Sequence, residues 1–291
     1  MEVYYWMEEW LAWGRAGSLT GKPYSDRTIE LYKYYFGLYV ETLDQDNPSI
    51  SLENFRKVLQ IIHPRKYSTR KNIYDAIMSA AKYLVEKGLM DNEERESIKK
   101  LAPKRLFPAK RPHINEKQVA EVFETIDGLA VDKYSKILSK TITVLILNTG
   151  LRLQEIVDLK ISHVDLENSC LSVYLGKGNK NRRVGLNKET KSQLVKYLHQ
   201  RPYSESDNFF VNKDGEPVTR NLISKKYRWL SKKLGYTVSP HALRRAFVTL
   251  NANEGKPMVH LQIACGHADL KTTRSYCRTS EDEVVEAMQD W

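Results

Sequence analysis

Cysteine is scarce in this 291-residue sequence: there are three, Cys170, Cys265 and Cys277. The count is odd and no CxxC pair occurs, so no disulfide framework is expected and a reducing interior fits best. No apolar run approaches the roughly 20 residues that a bilayer-spanning helix needs. The opening "MEVYYWMEEW" lacks the basic stretch of a signal peptide, and the protein reads as cytoplasmic. Internal repeats and low-complexity tracts are absent as well. His260, Cys265, His267 and Cys277 lie close together, but their spacing follows no zinc pattern. Packed thiols and a working histidine are expected there, with no metal and no cofactor.

Negative charge is also in short supply. Lys and Arg number 46 against 36 Asp and Glu, a net charge of +10. A surplus of this size favours a polyanionic partner, most often nucleic acid, although simple solubility also benefits from it. The surplus is uneven. Residues 1–108 hold 17 basic against 15 acidic residues, and residues 109–291 hold 29 against 21. The second part therefore carries most of the field that would draw in a phosphate backbone. With 41% hydrophobic and 28% charged residues the chain is ordinary globular material, long enough for two domains.

Hydrophobic periodicity predicts helices over 2–13, 25–43, about 51–62 and 68–89, the second capped by Ser25 or Asp26 and the last ended by Gly88. Residues 1–100 thus read as a helical bundle whose tyrosines serve core and groove. The stretch "LAPKRLFPAKRPHIN", with three prolines and five basic residues when His113 is counted with the four Lys and Arg, interrupts any helix, and 101–113 is expected to be a linker. Beyond it, Asn115 and Gln118 form a capping-box signature, and "KILSKTITVLILNTG" reads as a buried helix ending at Gly150. A short helix in "RLQEIVDLK" follows. "CLSVYL" and "RRVGL" flank the turn "GKGNK" as a β-hairpin, and helices are expected over 188–200, about 219–234, 241–254 and about 257–264. The expected fold is mainly α with one small β element, in two domains, 1–100 and 114–291.

Four stretches of the second domain carry chemistry: "TGLRLQE", "GKGNK", "HALRR" and "GHADLKTTRSY". Each is weak alone. A turn, a capped helix start with His241 and Arg244 on one face, or an arginine after a glycine is common surface furniture. Together they supply what attack on a DNA phosphodiester requires. Tyr276 is the residue suited to covalent attack, and its ordinary pKa of about 10 calls for a base or nearby cations. Arg152 and Arg244 offer planar forks to the non-bridging oxygens. Lys177 can protonate a leaving 5′ oxygen, with Lys180 in the same turn as its rival. His241 and His267 can orient the phosphate or move the tyrosine proton.

This order of motifs resembles the tyrosine recombinase family, also called λ-integrase or Xer-like: Arg152 with Glu155, Lys177, His241, Arg244, His267 and Tyr276 all stand in place. The likeness covers about residues 112–280, and "GKGNKNRRV" looks most like the Xer branch. Arg245 departs where a His is common, Cys265 where Leu is usual, and Cys277-Arg278 where Thr-His is frequent. The resemblance implies a C-shaped clamp, with a helical core-binding domain and a catalytic domain on opposite sides of double-stranded DNA. It further implies a 3′-phosphotyrosyl intermediate without ATP or metal, and four protomers exchanging strands through a Holliday junction. It leaves open dimer resolution or mobile-element integration, and it places the protein with the nucleoid. Two alternatives stand beside it: a type IB topoisomerase-like relaxation enzyme and a non-catalytic DNA-binding relative. In "EDEVVEAMQDW", Val284, Met288 and Trp291 share a helical face, which is expected to dock on a neighbouring protomer.

Overall fold

The computed structural model describes residues 2–17, 21, 23–43, 49–104, 114–174 and 181–266. Backbone contacts divide the chain into two compact units, 1–109 and 110–291. Among the described residues no helix is long and apolar enough to cross a membrane.

The first unit holds five helices: α1 (Glu2–Arg15), α2 (Asp26–Thr42), α3 (Leu52–Ile62), α4 (Tyr67–Glu86) and α5 (Asn92–Lys99). Ser25 caps α2 by accepting from the Thr28 N–H, and Ser51 caps α3 from Asn54 N–H. Helix α4 is the pillar of the unit, burying Ile73, Ala76, Ile77, Ala80, Ala81 and Tyr83. Trp10, Phe36, Tyr39 and Phe55 complete a core rich in aromatic rings. Their polar tips are satisfied: Trp10 Nε1 donates to Ser79 Oγ at 3.1 Å and the Tyr83 hydroxyl donates to Glu9 at 2.7 Å. Tyrosines of this unit are thus largely packing residues, with Tyr34 an exposed exception at 60%.

The second unit contains α6 (Glu116–Asp127), α7 (Lys133–Thr149), α8 (Leu153–Val157), a 3₁₀ turn (Ile161–His163), β1 (Val164–Asp165), β2 (Cys170–Val173), β3 (Arg182–Gly185), α9 (Lys188–Gln200), α10 (Arg220–Leu234), α11 (Pro240–Asn253) and α12 (Met258–Cys265). Helix α6 starts on the predicted capping box, with both Asn115–Gln118 hydrogen bonds made. Helix α7 is buried on nearly every side and packs against α9 and α11. Its interior threonines return their hydroxyls to the helix: Thr141 donates to Ile137 O at 2.7 Å and Thr143 to Ser139 O at 2.8 Å, so burial leaves neither unpaired. The three strands form one antiparallel sheet in the order β1-β2-β3, with Leu171 opposite Val184 and Val173 opposite Arg182. The predicted hairpin strands are present, and β1 adds an unpredicted third.

Candidate active site

The site begins where α7 stops. Gly150 takes a left-handed backbone, φ +65°, and closes the helix. Only glycine fits: a Cβ there would lie 2.5 Å from Phe247 Cδ1 and 2.9 Å from Cys265 Sγ. Two residues on, Arg152 is the N-cap of α8, and Glu155 in the first turn accepts from its backbone N–H at 2.7 Å. The same carboxylate accepts from Arg152 Nη1 at 2.8 Å. Arg152 is thereby held at the start of α8, with Nη2 donating to Gly266 O at 2.7 Å.

Arg244 arrives from α11. Ser239 caps this helix and Pro240 occupies its first turn. The buried Arg244 side chain donates through Nη1 to Gly150 O at 2.6 Å and through Nη2 to Cys265 O at 2.7 Å. It reaches within 4.0 Å of Glu155. His241 stands one turn earlier on α11 and is exposed.

A third guanidinium completes the cluster. Arg182 begins β3 and is 8% exposed. It donates from Nη1 and Nη2 to the two Glu155 oxygens at 3.0 and 2.8 Å, and from Nε to Ala264 O at 2.8 Å. The sequence reading missed it. The signal was available in strand alternation, since Arg182 lies two residues before buried Val184 and shares its inward face.

One buried carboxylate therefore faces three guanidinium groups. Burial alone would raise the Glu155 pKa, but the hydrogen bonds and charges of Arg182 and Arg152 outweigh it and hold the carboxyl below its ordinary range. Burial lowers the pKa of Arg244, and the neighbouring Arg152 and Arg182 push the same way. Cys265 is fully buried, and burial raises its thiol pKa despite the three arginines. The thiol stays neutral and leaves the positive surplus undiminished. Gly266, φ +60°, closes the site, since a Cβ there would stand 2.9 Å from Arg182 Nη1 and 3.3 Å from Arg152 Nη1. Among the described residues no three His, Cys, Asp or Glu side chains gather as a metal ion would require.

Of the predicted site residues, Arg152 and Arg244 meet at Glu155, and His241 is on the same helix as Arg244. Lys177, its rival Lys180, His267 and Tyr276 lie outside the described residues, as does the 281–291 segment. What remains is a cluster of three arginine forks around one carboxylate, braced by the carbonyls of Gly150, Ala264, Cys265 and Gly266, with an excess of positive charge. Such a cluster suits the developing charge of a phosphoryl transition state.

The chain belongs to the phage integrase family, whose profile matches residues 112–283; these are the tyrosine recombinases. It is 33% identical over 230 residues to tyrosine recombinase XerC of Lactobacillus delbrueckii subsp. bulgaricus, covering 76% of this chain and 73% of that one. It is 31% identical over 278 residues to tyrosine recombinase XerA of Pyrococcus horikoshii, covering 93% and 89%. Among solved structures it is similar to the XerH site-specific recombinase bound to palindromic difH substrate in a post-cleavage complex. That likeness has 26% identity and a TM-score of 0.68, over 91% of this chain and 78% of the other.

Proposed function

We propose that this chain is a site-specific DNA recombinase that cleaves and rejoins strands through a 3′-phosphotyrosyl intermediate on Tyr276. The observation that carries the reading is the convergence of Arg152 and Arg244, from separate helices, on one buried carboxylate within a family of tyrosine recombinases. The tyrosine oxygen attacks the scissile phosphorus, and the P–O5′ bond breaks. The phosphoryl charge is met by the two arginine forks, which bind a planar array of oxygens better than point charges do. The tyrosine proton leaves by way of His241 or His267, and Lys177 donates one to the departing 5′ oxygen. One phosphoester is exchanged for another, so the link conserves the bond energy and a second strand's 5′-hydroxyl can reverse the step.

The basic outer stripe of α10 supports duplex binding: Lys225, Arg228 and Lys232 are all exposed at i, i+3 and i+7, and the helix has no acidic residue. Trp229 is exposed beside them, 45%, under the Lys233 ammonium. The first unit serves as the core-binding domain. Four protomers assemble on two paired sites and pass strands through a Holliday junction, as in resolution of chromosome or plasmid dimers or in integration of a mobile element.

The test is a nicked suicide duplex from fragmented host DNA. A covalent adduct mapping to Tyr276, and recombination of two copies of the recovered site, are expected. Relaxation of a plasmid without site preference would instead make it a topoisomerase-like enzyme, and binding with no adduct a non-catalytic relative.

A further inference from the structure

Glu155 presents a difficulty for a site that must attract phosphate. It sits between the two arginines that would bind the non-bridging oxygens, 2.8 Å from Arg152 Nη1 and 4.0 Å from Arg244 Nη1. A carboxylate paired to Arg152 alone would cancel the charge that the transition state needs. Arg182 changes this. Its fork takes both oxygens of the same carboxylate, at 3.0 and 2.8 Å, in the bidentate geometry that makes the strongest arginine–carboxylate contacts. Its Nε is committed to Ala264 O, and a Cβ at Gly266 would stand 2.9 Å from its Nη1, so only a glycine there leaves it room. Both terminal nitrogens of Arg182 are thus spent on Glu155, whereas Arg244 gives its own to the carbonyls of Gly150 and Cys265 and stays 4.0 Å from the carboxylate.

We propose that Arg182 is a positioning residue that takes up the charge of Glu155, so that Arg152 and Arg244 keep theirs for the scissile phosphate. This rests on the recombinase reading above. Glu155 then acts as a jig: one oxygen is shared between Arg152 Nη1 and Arg182 Nη1, while the other joins Arg182 Nη2 to the Arg152 backbone N–H. Three guanidinium groups and one carboxylate sum to a net charge of +2, and where the cluster is buried that charge acts more strongly than it would in water.

Charge balance separates this role from a purely structural one. The readout is single-turnover cleavage of a suicide duplex carrying the site recovered on the wild-type chain. One substrate has an ordinary scissile phosphodiester; the other has a methylphosphonate there, which brings one negative charge less. Arg182→Met is expected to slow the phosphodiester on the order of 10²-fold, as loss of a preorganised charge contact does, while duplex affinity holds. Its loss on the methylphosphonate should be much smaller. Adding Glu155→Gln, which removes the unbalanced charge, should recover about 10-fold. Arg182→Lys, which keeps the charge without the fork, should lose less than Arg182→Met. Equal losses on the two substrates overturn the proposal. So does a double variant no faster than Arg182→Met alone. Should Arg182→Met fail to fold, as a thermal melt would reveal, Arg182→Lys decides by the same two substrates: a smaller defect on the methylphosphonate supports the role, and an equal one ends it. If the wild-type chain forms no adduct at all, the recombinase reading fails instead.

Discussion

The chemistry of the site is set by single residues. In the proposed reaction Tyr276 is the nucleophile, so Tyr276→Phe, which removes only the hydroxyl, should abolish the covalent adduct while a mobility-shift assay shows unchanged DNA binding. Arg152→Ala or Arg244→Ala should each slow cleavage on the order of 10²-fold or more, like loss of an oxyanion donor. Lysine at either position should rescue only in part, because a point charge lacks the fork; full rescue in a rapid-quench assay would refute the geometric argument. Glu155 adds a pH dependence. Its folded-state pKa is depressed, so its contribution to stability is present above the unfolded value of about 4.3 and is lost as pH falls through the folded value. The unfolding free energies of wild type and Glu155→Gln should therefore differ at neutral pH and draw together in acid. A gap that persists unchanged down to the acid limit would show that the carboxylate charge is not what matters. Arg152 and Arg244, which the fold brings together at Glu155, could be picked from the sequence because the family order of motifs is local text. The inward face of Arg182 was open to strand alternation, but its partners were not, since Glu155 and Ala264 lie 27 and 82 residues away and only the fold brings them to it.

At the scale of elements, helices with strong apolar periodicity were readable, and α7 and α9 fall close to where the pattern put them. Two elements were not. Helix α5, "NEERESIK", is polar nearly throughout and buries only Ile98, so it has no stripe to detect. Strand β1 has two residues, too few for any alternation, and exists because β2 pairs with it. The end of α7 was readable from Gly150, but its reason was not: Phe247 and Cys265 crowd the place a side chain would take. Gly150→Ala combines that clash with a left-handed backbone and should cost about 2–4 kcal/mol in urea unfolding. A loss under about 0.5 kcal/mol, the usual scale of harmless surface changes, would mean the turn relaxes freely. Helix α10 makes a different kind of claim. If its outer stripe lies along the duplex, Lys225→Ala and Lys232→Ala should each reduce the slope of log affinity against log salt by about 1, uniformly across DNA sequences. An unaltered slope would place the stripe in solvent.

For the whole molecule, the division into two units follows from composition: "LAPKRLFPAKRPHIN" supplies prolines that no continuous helix can cross, and each unit builds its own core. Residues 109–291 carry +8 of the +10 net charge, so the second unit is expected to supply most of the salt-dependent attraction for a phosphate backbone. Assembly is the property least visible in one chain, and residues 281–291, outside the described part, bear on it through sequence alone. Val284, Met288 and Trp291 recur at helical spacing. A helix this short is marginal alone in water and needs a surface to pack on. Packing on its own catalytic unit would leave each protomer self-sufficient. Packing on a neighbour would place the segment that follows Tyr276 under the control of assembly, so that cleavage waits for a partner. The second arrangement suits a reaction in which a strand cut without a partner has no second strand to join. Deleting 281–291 should then leave binding to a single site nearly intact, weaken cooperative binding to a two-site duplex, and reduce strand exchange more than it reduces cleavage of an isolated site. If the shortened chain fills paired sites as cooperatively as the full one in a titration followed by electrophoretic mobility, the segment packs in cis and control of cleavage must lie elsewhere.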